Sequence, residues 1–331
     1  MVDGLVGSEM CIRDSINNMW KPELLAPAKN LERLKVAVTY GADAVYVGGQ
    51  KYGLRTRADN FSDYDLEYGV NFAHENHAKV YLTLNAFLHD DDFEGLAEYC
   101  QFLESISVDG VIVSDLGVLR VVKRSSNLDI HLSTQASCLN SYAGQMWKQF
   151  GVKRLIVGRE VSVVEGGAIR AQTGVDVEMF VHGAMCMAFS GNCTISNFTA
   201  GRDSNRGGCI QSCRFPYQLA DKRDDRPVTF MSSKDLWGIH QVGGFFEHQI
   251  CSLKIEGRMK SSFYVAVACR AYRQVIDAYG EGRLTPEMLN QIVAELESIP
   301  HRDYDSASLE TPAGSTSVYS SWKVVGVLMN I

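Results

Sequence analysis

Eight short apolar runs recur along the chain, separated by longer amphipathic stretches, and this rhythm constrains the fold more than any other feature. The runs are rich in Val, Ile, Leu and Tyr and are apolar throughout rather than at alternate positions. Continuous hydrophobicity is typical of strands buried on both faces of a parallel sheet. The runs are Glu23–Pro27, Ala44–Gly48, Val80–Asn85, Val111–Asp115, Ile130–Gln135, Leu155–Arg159, Val177–His182 and Ser252–Glu256.

The stretches between the runs have the i, i+3, i+4 spacing of amphipathic helices. Strands alternating with helices predict an α/β fold, a TIM-like (β/α)8 barrel with a Cys-rich insertion between the seventh and eighth strands. A doubly wound open sheet is the alternative, but no G-x-G-x-x-G follows the first run, which disfavours its dinucleotide-binding form. Asn30 and Asp63 are predicted N-caps. The predicted helices include Leu31–Tyr40, Asp63–His77, Asp92–Ser105, Tyr142–Phe150, Ser261–Tyr279 and Pro286–Ser298.

The rhythm divides the chain into three segments. Residues 1–18 share no pattern with the rest of the chain and resemble translated adapter sequence, so we expect a non-native leader and a native start at Met19. Residues 19–300 hold the predicted barrel, with an irregular insertion at about 184–250. Such long insertions are usually functional or disordered, and the cysteines favour function. Residues 301–331 are predicted to be a linker and the start of a truncated C-terminal β-domain.

Composition excludes several classes of protein. Of 331 residues, 46% are hydrophobic and 21% charged, unlike disordered, collagen-like or small disulfide-stapled chains. The net charge of −7 gives no global basic field for nucleic acid, although a local basic patch is compatible with it. We find neither an apolar run of membrane-spanning length nor signal-peptide features, and therefore expect a cytoplasmic protein with no membrane partner.

Four of the nine cysteines lie within 28 residues, spaced C-x6-C-x15-C-x3-C. In a reducing compartment such a cluster indicates metal or redox chemistry rather than disulfides. Zinc sites favour two C-x2–4-C pairs, and only the last two cysteines have that spacing. Iron–sulfur clusters accept more varied spacing. Spacing thus favours an iron–sulfur cluster and leaves zinc and ordinary buried cysteines open. The four are Cys186, Cys193, Cys209 and Cys213.

Polar side chains recur where the predicted strands end. The carboxyl ends of the strands face the active site in a (β/α)8 barrel, and buried charges there are unfavourable unless paired or used. A ring of salt bridges closing the barrel is the structural alternative. The strand-end residues are Asn85, Asp115, Thr134, Gln135, Arg159, Glu160, His182, Lys254, Glu256 and Arg258. We expect the catalytic residues among the last six.

Further arginines are candidates for substrate or RNA binding, because a planar guanidinium binds carboxylates or phosphates in a bidentate manner. They are Arg55, Arg57, Arg202 and Arg206. The last two lie in a glycine-rich loop, for which a solvated surface loop is the alternative.

Signatures of hydrolases are poor in this sequence. His74-Glu75-Asn76-His77 is one residue shorter than the H-E-x-x-H helix of zinc proteases, which needs i, i+4 spacing. We find no G-x-S-x-G nucleophile elbow and no Walker A phosphate loop.

The segment EMFVHGAMCMAFSGNCTIS, Glu178–Ser196, resembles the signature of the peptidase U32 (collagenase-like) family. Other motifs agree in order, among them PELLAPA, GADAVYVGG, LRTRADNF, HLSTQAS, GREVS, GRDSNRGGCIQSCRFPY, MSSKDL and LKIEGRMKS. The resemblance covers about residues 19–300, and within the family it is strongest to the branch that hydroxylates tRNA.

The resemblance implies a TIM-like barrel with a 4Fe-4S cluster on Cys186, Cys193, Cys209 and Cys213. It also implies oxygen-independent hydroxylation that forms 5-hydroxyuridine at the tRNA wobble position and requires prephenate. On that basis tRNA, an oxygen donor and an electron donor are the expected partners. Arg159 and Arg258 are then candidates to bind a dicarboxylate such as prephenate, and His182 to contact a cluster sulfur or transfer a proton.

Two other functions stay open on the sequence. One is a U32-type peptidase with a structural metal, although the chain supplies no peptidase machinery that we can identify. The other is a non-catalytic RNA-binding or assembly subunit.

Overall fold

The computed structural model describes residues 20–54, 60–218 and 227–310. The predicted leader, Arg55, Arg57 and the predicted start of a β-domain after residue 310 lie outside these ranges. Ten strands occur in the described chain: β1 Glu23–Pro27, β2 Ala44–Val47, β3 Lys79–Leu84, β4 Gly110–Val113, β5 Ile130–Leu132, β6 Arg154–Ile156, β7 Asp176–Ala184, β8 Asp235–Trp237, β9 Ser252–Ile255 and β10 Tyr304–Asp305.

Eight of the strands form a closed parallel barrel. Strands β1 to β7 pair in chain order, and β9 pairs in parallel with both β7 and β1. The register places Leu25 opposite both Ala44 and Lys254, which joins the first and last barrel strands. An open doubly wound sheet has two free edges, so this closure confirms the TIM-like prediction.

Helices cover the barrel, and polar residues fix where they begin. The Asn30 side chain accepts a hydrogen bond from Arg33 N, as predicted for an N-cap. The prediction for Asp63 was wrong, since Ser62 is the cap and forms a reciprocal capping box with Asp65. The helices are α1 Leu31–Thr39, α2 Asp63–Glu75, α3 Leu96–Ser105, α4 Leu116–Ser125, α5 Ser141–Gln149, α6 Val163–Thr173, α7 Ile195–Ala200, α8 Val242–Glu247, α9 Ser262–Gly280 and α10 Pro286–Leu296.

Two short strands extend the sheet beyond the barrel. Strand β8 pairs antiparallel with the end of β7, and β10 pairs in parallel with β8. The buried carboxylate of Asp235 accepts hydrogen bonds from the Arg302 guanidinium at 2.6 and 3.0 Å. Residues 301–310, expected to be linker, therefore pack onto the segment between β7 and β9.

None of the helices in the described ranges is both long enough and apolar enough to cross a lipid bilayer.

Candidate functional site

A cavity of about 380 Å³ lies at the carboxyl ends of the barrel strands. Barrel strands supply its lower wall, including Tyr46, Thr83, Phe180 and Lys254, and residues 185–214, here named the cysteine loop, supply much of the rest. Chemistry in TIM barrels takes place at this end, so the cavity is the candidate active site. The predicted strand-end residues that line it are Asn85, Thr134, Gln135, Arg159, Lys254, Glu256 and Arg258.

All four clustered cysteines line this cavity as free thiols. Cys186 is exposed and the other three are partly buried. Burial raises the pKa of the Cys213 thiol, and Cys186, Cys209 and Cys193 raise it further, so the four groups lie within electrostatic reach of one another. The cysteine loop thus brings together residues that are up to 27 positions apart in the chain.

Four free thiols at one cavity are a donor set that fits an iron–sulfur cluster, which takes four thiolates. Zinc also takes four thiolates in structural sites, so the chemistry of the donor set fits both groups.

The cysteine loop is held against the barrel by hydrogen bonds near Cys193. Ser137 Oγ donates to Ser190 O at 2.6 Å, and Arg159 Nη1 donates to Ser190 Oγ at 2.5 Å. Gly191 has a φ of +83°, and a Cβ there would lie 2.0 Å from Gln135 O. Glycine at this position lets the loop backbone reach the barrel, as the close approach requires.

Cations predominate among the charged side chains around the cavity. In the described ranges its lining includes five basic side chains and one carboxylate, namely Arg159, Arg214, Lys254, Arg258, Lys260 and Glu256. Asp235 lies 4.0 Å from the Lys260 ammonium and Glu178 lies 2.7 Å from the Lys254 ammonium, so part of this charge is balanced from outside the cavity. The excess favours an anionic ligand.

The two arginines predicted to bind a dicarboxylate are both in the cavity wall. Arg258 is 5% exposed and donates to Asn60 Oδ1 at 3.0 Å and Thr83 Oγ1 at 3.4 Å. The Arg159 guanidinium carbon lies 4.2 Å from the centre of the Phe180 ring. For Arg159, the neutral Ser190 hydroxyl and the aromatic face orient the guanidinium group without cancelling its charge.

Beneath the cavity lies a group of two acids and two bases, here named the floor quartet: partly buried Glu23 and buried Arg154, Glu178 and Lys254. Arg154 Nη1 is 2.7 Å from Glu23 and 3.0 Å from Glu178. Lys254 Nζ is 2.7 Å from the other oxygen of Glu178. Burial by itself would raise the pKa of Glu23, but Arg154 holds it below its ordinary value.

His182 does not line the cavity, although its place at the end of a predicted strand led us to expect it there. Its role as a contact of the cluster or a proton carrier stays a prediction. Its ring lies in a box of aromatic side chains, with Tyr272 Oη 3.4 Å from Nδ1. Burial lowers its pKa to about 3, although Asp235 opposes the shift. The register of β7 against β9 shifts between Phe180 and His182. The irregularity breaks the strict alternation that would have turned both side chains inward.

Several other predicted residues have different surroundings from those expected. Arg206 pairs with Asp92 at 2.8 Å and donates to Phe87 O, so it fastens the cysteine loop. Asp115 caps α4 by accepting from Gly117 N. Glu160 is outside the cavity lining, and burial raises its pKa.

Arg202, another of the predicted RNA-binding arginines, donates its backbone N–H to Ser196 O. Its guanidinium group has no hydrogen-bond partner among the described residues. The histidine of the rejected zinc-protease motif, His74, pairs with Asp109 at 2.9 Å.

Sequence reasoning missed two cations of the cavity, Arg214 and Lys260. Arg214 directly follows Cys213, so proximity to a candidate ligand was a usable signal. Lys260 is two positions beyond Arg258, on a loop whose direction only the closed barrel defines.

The sequence matches the family described as Peptidase family U32 over residues 29–318. It is 43% identical to tRNA hydroxylation protein P1 of Bacillus subtilis (strain 168), covering 94% of this chain and 78% of that protein. It is 34% identical to the 23S rRNA 5-hydroxycytidine C2501 synthase of Escherichia coli (strain K12), covering 92% of this chain and 48% of that protein. It is 30% identical to a collagenase of Porphyromonas gingivalis, covering 85% of this chain and 72% of that protein.

Proposed function

The chain belongs to peptidase family U32, and from that premise we propose that it is an iron–sulfur-dependent, oxygen-independent RNA hydroxylase. Its product is 5-hydroxyuridine at the tRNA wobble position, prephenate is required, and the reaction takes place in the cytoplasm. The observation that carries the proposal is the meeting of four free cysteines and an excess of cations at one cavity in the barrel mouth. The names of two relatives, for tRNA hydroxylation and for rRNA 5-hydroxycytidine synthesis, support RNA as the substrate.

Cys186, Cys193, Cys209 and Cys213 would hold the 4Fe-4S cluster. When bound, it supplies electron transfer next to the cavity. The Arg159–Ser190 and Ser137–Ser190 hydrogen bonds position the loop that carries the first two of these cysteines.

The remaining cavity residues bind and orient the reactants. Arg159 and Arg258 bind the carboxylates of the small-molecule partner with planar, bidentate groups. Asn85 Oδ1 is buried and has no hydrogen-bond partner among the described residues, so it is available to accept a hydrogen bond from a base. A cavity of about 380 Å³ is in the range that binds compact ligands.

The test is nucleoside analysis of tRNA from a bacterial host that lacks its own hydroxylation protein and expresses this chain. We expect 5-hydroxyuridine with the unmodified chain and its loss in Cys209→Ala, together with loss of iron and acid-labile sulfide from the purified protein. Cys100→Ala is the matched control, because Cys100 is a buried free thiol on α3, outside the cavity lining. It should keep both the metal and the product.

The two alternatives give different results in the same preparation. Peptide release from gelatin that survives loss of the cluster would overturn the proposal in favour of a peptidase. Binding of tRNA with no modified nucleoside at any iron content would instead favour a non-catalytic subunit.

A further inference from the structure

Lys254 presents an amino group to the cavity from inside the barrel. It is 4% exposed, lies on β9 and lines the lower wall. Its Nζ is 2.7 Å from Glu178 and lies 4.4 and 5.7 Å from the ring centres of Tyr46 and Phe180. An ammonium has three donors, and Glu178 is its hydrogen-bond acceptor among the described residues.

The surroundings of Lys254 suit a nucleophilic amine. Burial lowers its pKa, and nearby Arg154 lowers it further, whereas Glu178 opposes the shift. Desolvation and a neighbouring cation are the two means by which proteins activate a lysine toward carbonyl compounds. Glu178, hydrogen-bonded to Nζ, is placed to accept the proton that the amine gives up.

The wall of the same cavity also has a guanidinium group that can bind a carboxylate. Arg159 and Lys254 both approach the ring of Phe180, at 4.2 and 5.7 Å from its centre. A 2-oxo acid carries a ketone directly bonded to a carboxylate, so it can engage an amine and a guanidinium simultaneously. An acid without the ketone satisfies only the second group.

We propose that Lys254 forms an imine with the ketone of a 2-oxo acid bound in this cavity. The Nζ lone pair bonds to the carbonyl carbon, and the C=O π pair moves to oxygen. That oxygen receives the two protons lost by the amine, the first by way of Glu178, and leaves as water. The products are the C=N bond and one water, and no oxidant or reductant is consumed. This inference deepens the proposed function. It rests on that function in one respect, because it takes the 2-oxo acid to be the small-molecule partner in the hydroxylation.

The test is reductive trapping of the protein as purified, with pyruvate as the probe and cyanoborohydride as the reductant. The trapped protein gains the mass of pyruvic acid less one oxygen atom. Fragmentation mass spectrometry then locates the adduct in the unmodified chain. We expect Lys254 to carry at least about tenfold more adduct than Lys260, which lines the same cavity.

Two variants sharpen the result. Lys254→Arg keeps the charge but cannot form the imine, and should reduce trapping about tenfold. Lys123→Arg, at an exposed position on α4 outside the cavity lining, is the matched control and should trap like the unmodified chain. Lactate, which has the carboxylate but no ketone, should give no adduct.

An adduct spread evenly over the lysines, or concentrated on Lys260, would overturn the inference, and the unmodified chain decides this even where Lys254→Arg fails to fold. Absence of the adduct in a preparation that forms 5-hydroxyuridine would overturn this inference alone. An adduct on Lys254 without any hydroxylated nucleoside would support it and count against the proposed function.

Discussion

Charged side chains occur both in the floor quartet and around the cavity at the carboxyl ends of the strands, here named the mouth. The two regions differ in what holds these charges in place. In the floor quartet, two carboxylates and two cations are buried or partly buried, and each has an oppositely charged partner. Around the cavity above it, the Arg159 guanidinium is held by the Ser190 hydroxyl, which carries no charge.

The difference separates charges held in buried ion pairs from charges available to a ligand, and Lys254 alone of the quartet also lines the cavity. A buried ion pair is compensated only by its partner, so removing one member leaves an isolated charge. A guanidinium oriented by neutral groups keeps its charge for an incoming anion. The structural alternative considered for the strand ends, a set of salt bridges, describes the floor, whereas the cavity has the character of a binding site.

Removing one charge from the floor quartet should have the largest effect on stability. Arg154→Met leaves Glu23 and Glu178 without their shared cation, and we expect the free energy of unfolding to fall by about 3–5 kcal/mol. Urea denaturation at pH 7 measures it. The matched control is Arg283→Ala, because Arg283 pairs with Glu281 at the exposed surface and should cost less than about 1 kcal/mol. Equal losses in the two variants would contradict the distinction.

The aromatic box around His182 should behave like the floor, as a stability element. The pKa of His182 is about 3 in the folded chain because of burial, against an ordinary value of 6.5. Between these values the unfolded chain binds a proton that the folded chain does not, so stability falls as pH drops below 6.5. The slope is about 1.4 kcal/mol per pH unit for one such group. Burial also lowers the pKa of His131, which adds a similar contribution.

Urea denaturation between pH 6.5 and pH 5 tests this. His182→Gln should remove about half of the slope, whereas His240→Gln, at an exposed position, should leave it unchanged. An unaltered slope in His182→Gln would assign the acid sensitivity to other groups.

Much of the barrel was predictable, because each buried strand leaves a continuous apolar run of several residues. Strands β8 and β10 have three and two residues, which are too few to show a hydrophobic pattern in the sequence. The floor quartet was only partly visible: Glu23 and Arg154 begin their strands and look exposed in the sequence. Closure of β1, β6, β7 and β9 places these charges together, and sequence periodicity carries no information on which strands meet inside a barrel.

Residues of the site that lie close together in the chain could be predicted from the sequence. Residues whose position depends on which way a strand side chain points were harder to predict. The four cysteines share a loop, so their meeting follows from the chain itself. His182 was misplaced because the irregularity in β7 changes which face it occupies.

A change outside the cavity lining can test the mouth without disturbing the floor. A Cβ on Gly48 would lie 2.2 Å from Arg258 Nη2. Gly48→Ala therefore displaces that guanidinium, the far end of a flexible side chain, and we expect stability to change by less than about 1 kcal/mol. The yield of 5-hydroxyuridine should fall by about tenfold, the loss of one charge-assisted contact. Tenfold loss of product with unchanged urea stability is the expected pair of results.

Gly53→Ala is the matched control, because its new Cβ would meet Thr83 Oγ1 at an ordinary 3.4 Å. It should keep both stability and product. Full activity in Gly48→Ala would show that the position of Arg258 does not matter to the reaction.

The smallest expected effect is at the outer surface of the mouth, on α7 of the cysteine loop. The Phe198 side chain is 94% exposed there, so packing within the fold does not account for it. A nucleic-acid base stacked on an exposed aromatic ring contributes about 1–3 kcal/mol to binding. Phe198→Ala should therefore weaken tRNA binding by about fivefold to tenfold at fixed salt, with no change in urea stability.

The salt dependence of tRNA binding separates stacking from charge on this surface. Phe198→Ala should leave the slope of log K against log salt unchanged, because stacking releases no counterions, whereas Arg202→Ala should lower the slope by about one. Tyr40→Ala is the matched control: Tyr40 is 43% exposed at the end of α1, on the side of the barrel away from the cavity. If Tyr40→Ala weakened tRNA binding as much as Phe198→Ala, the RNA would also contact the side of the barrel away from the cavity. That result would contradict the division of the barrel into a structural floor and a mouth that binds ligands.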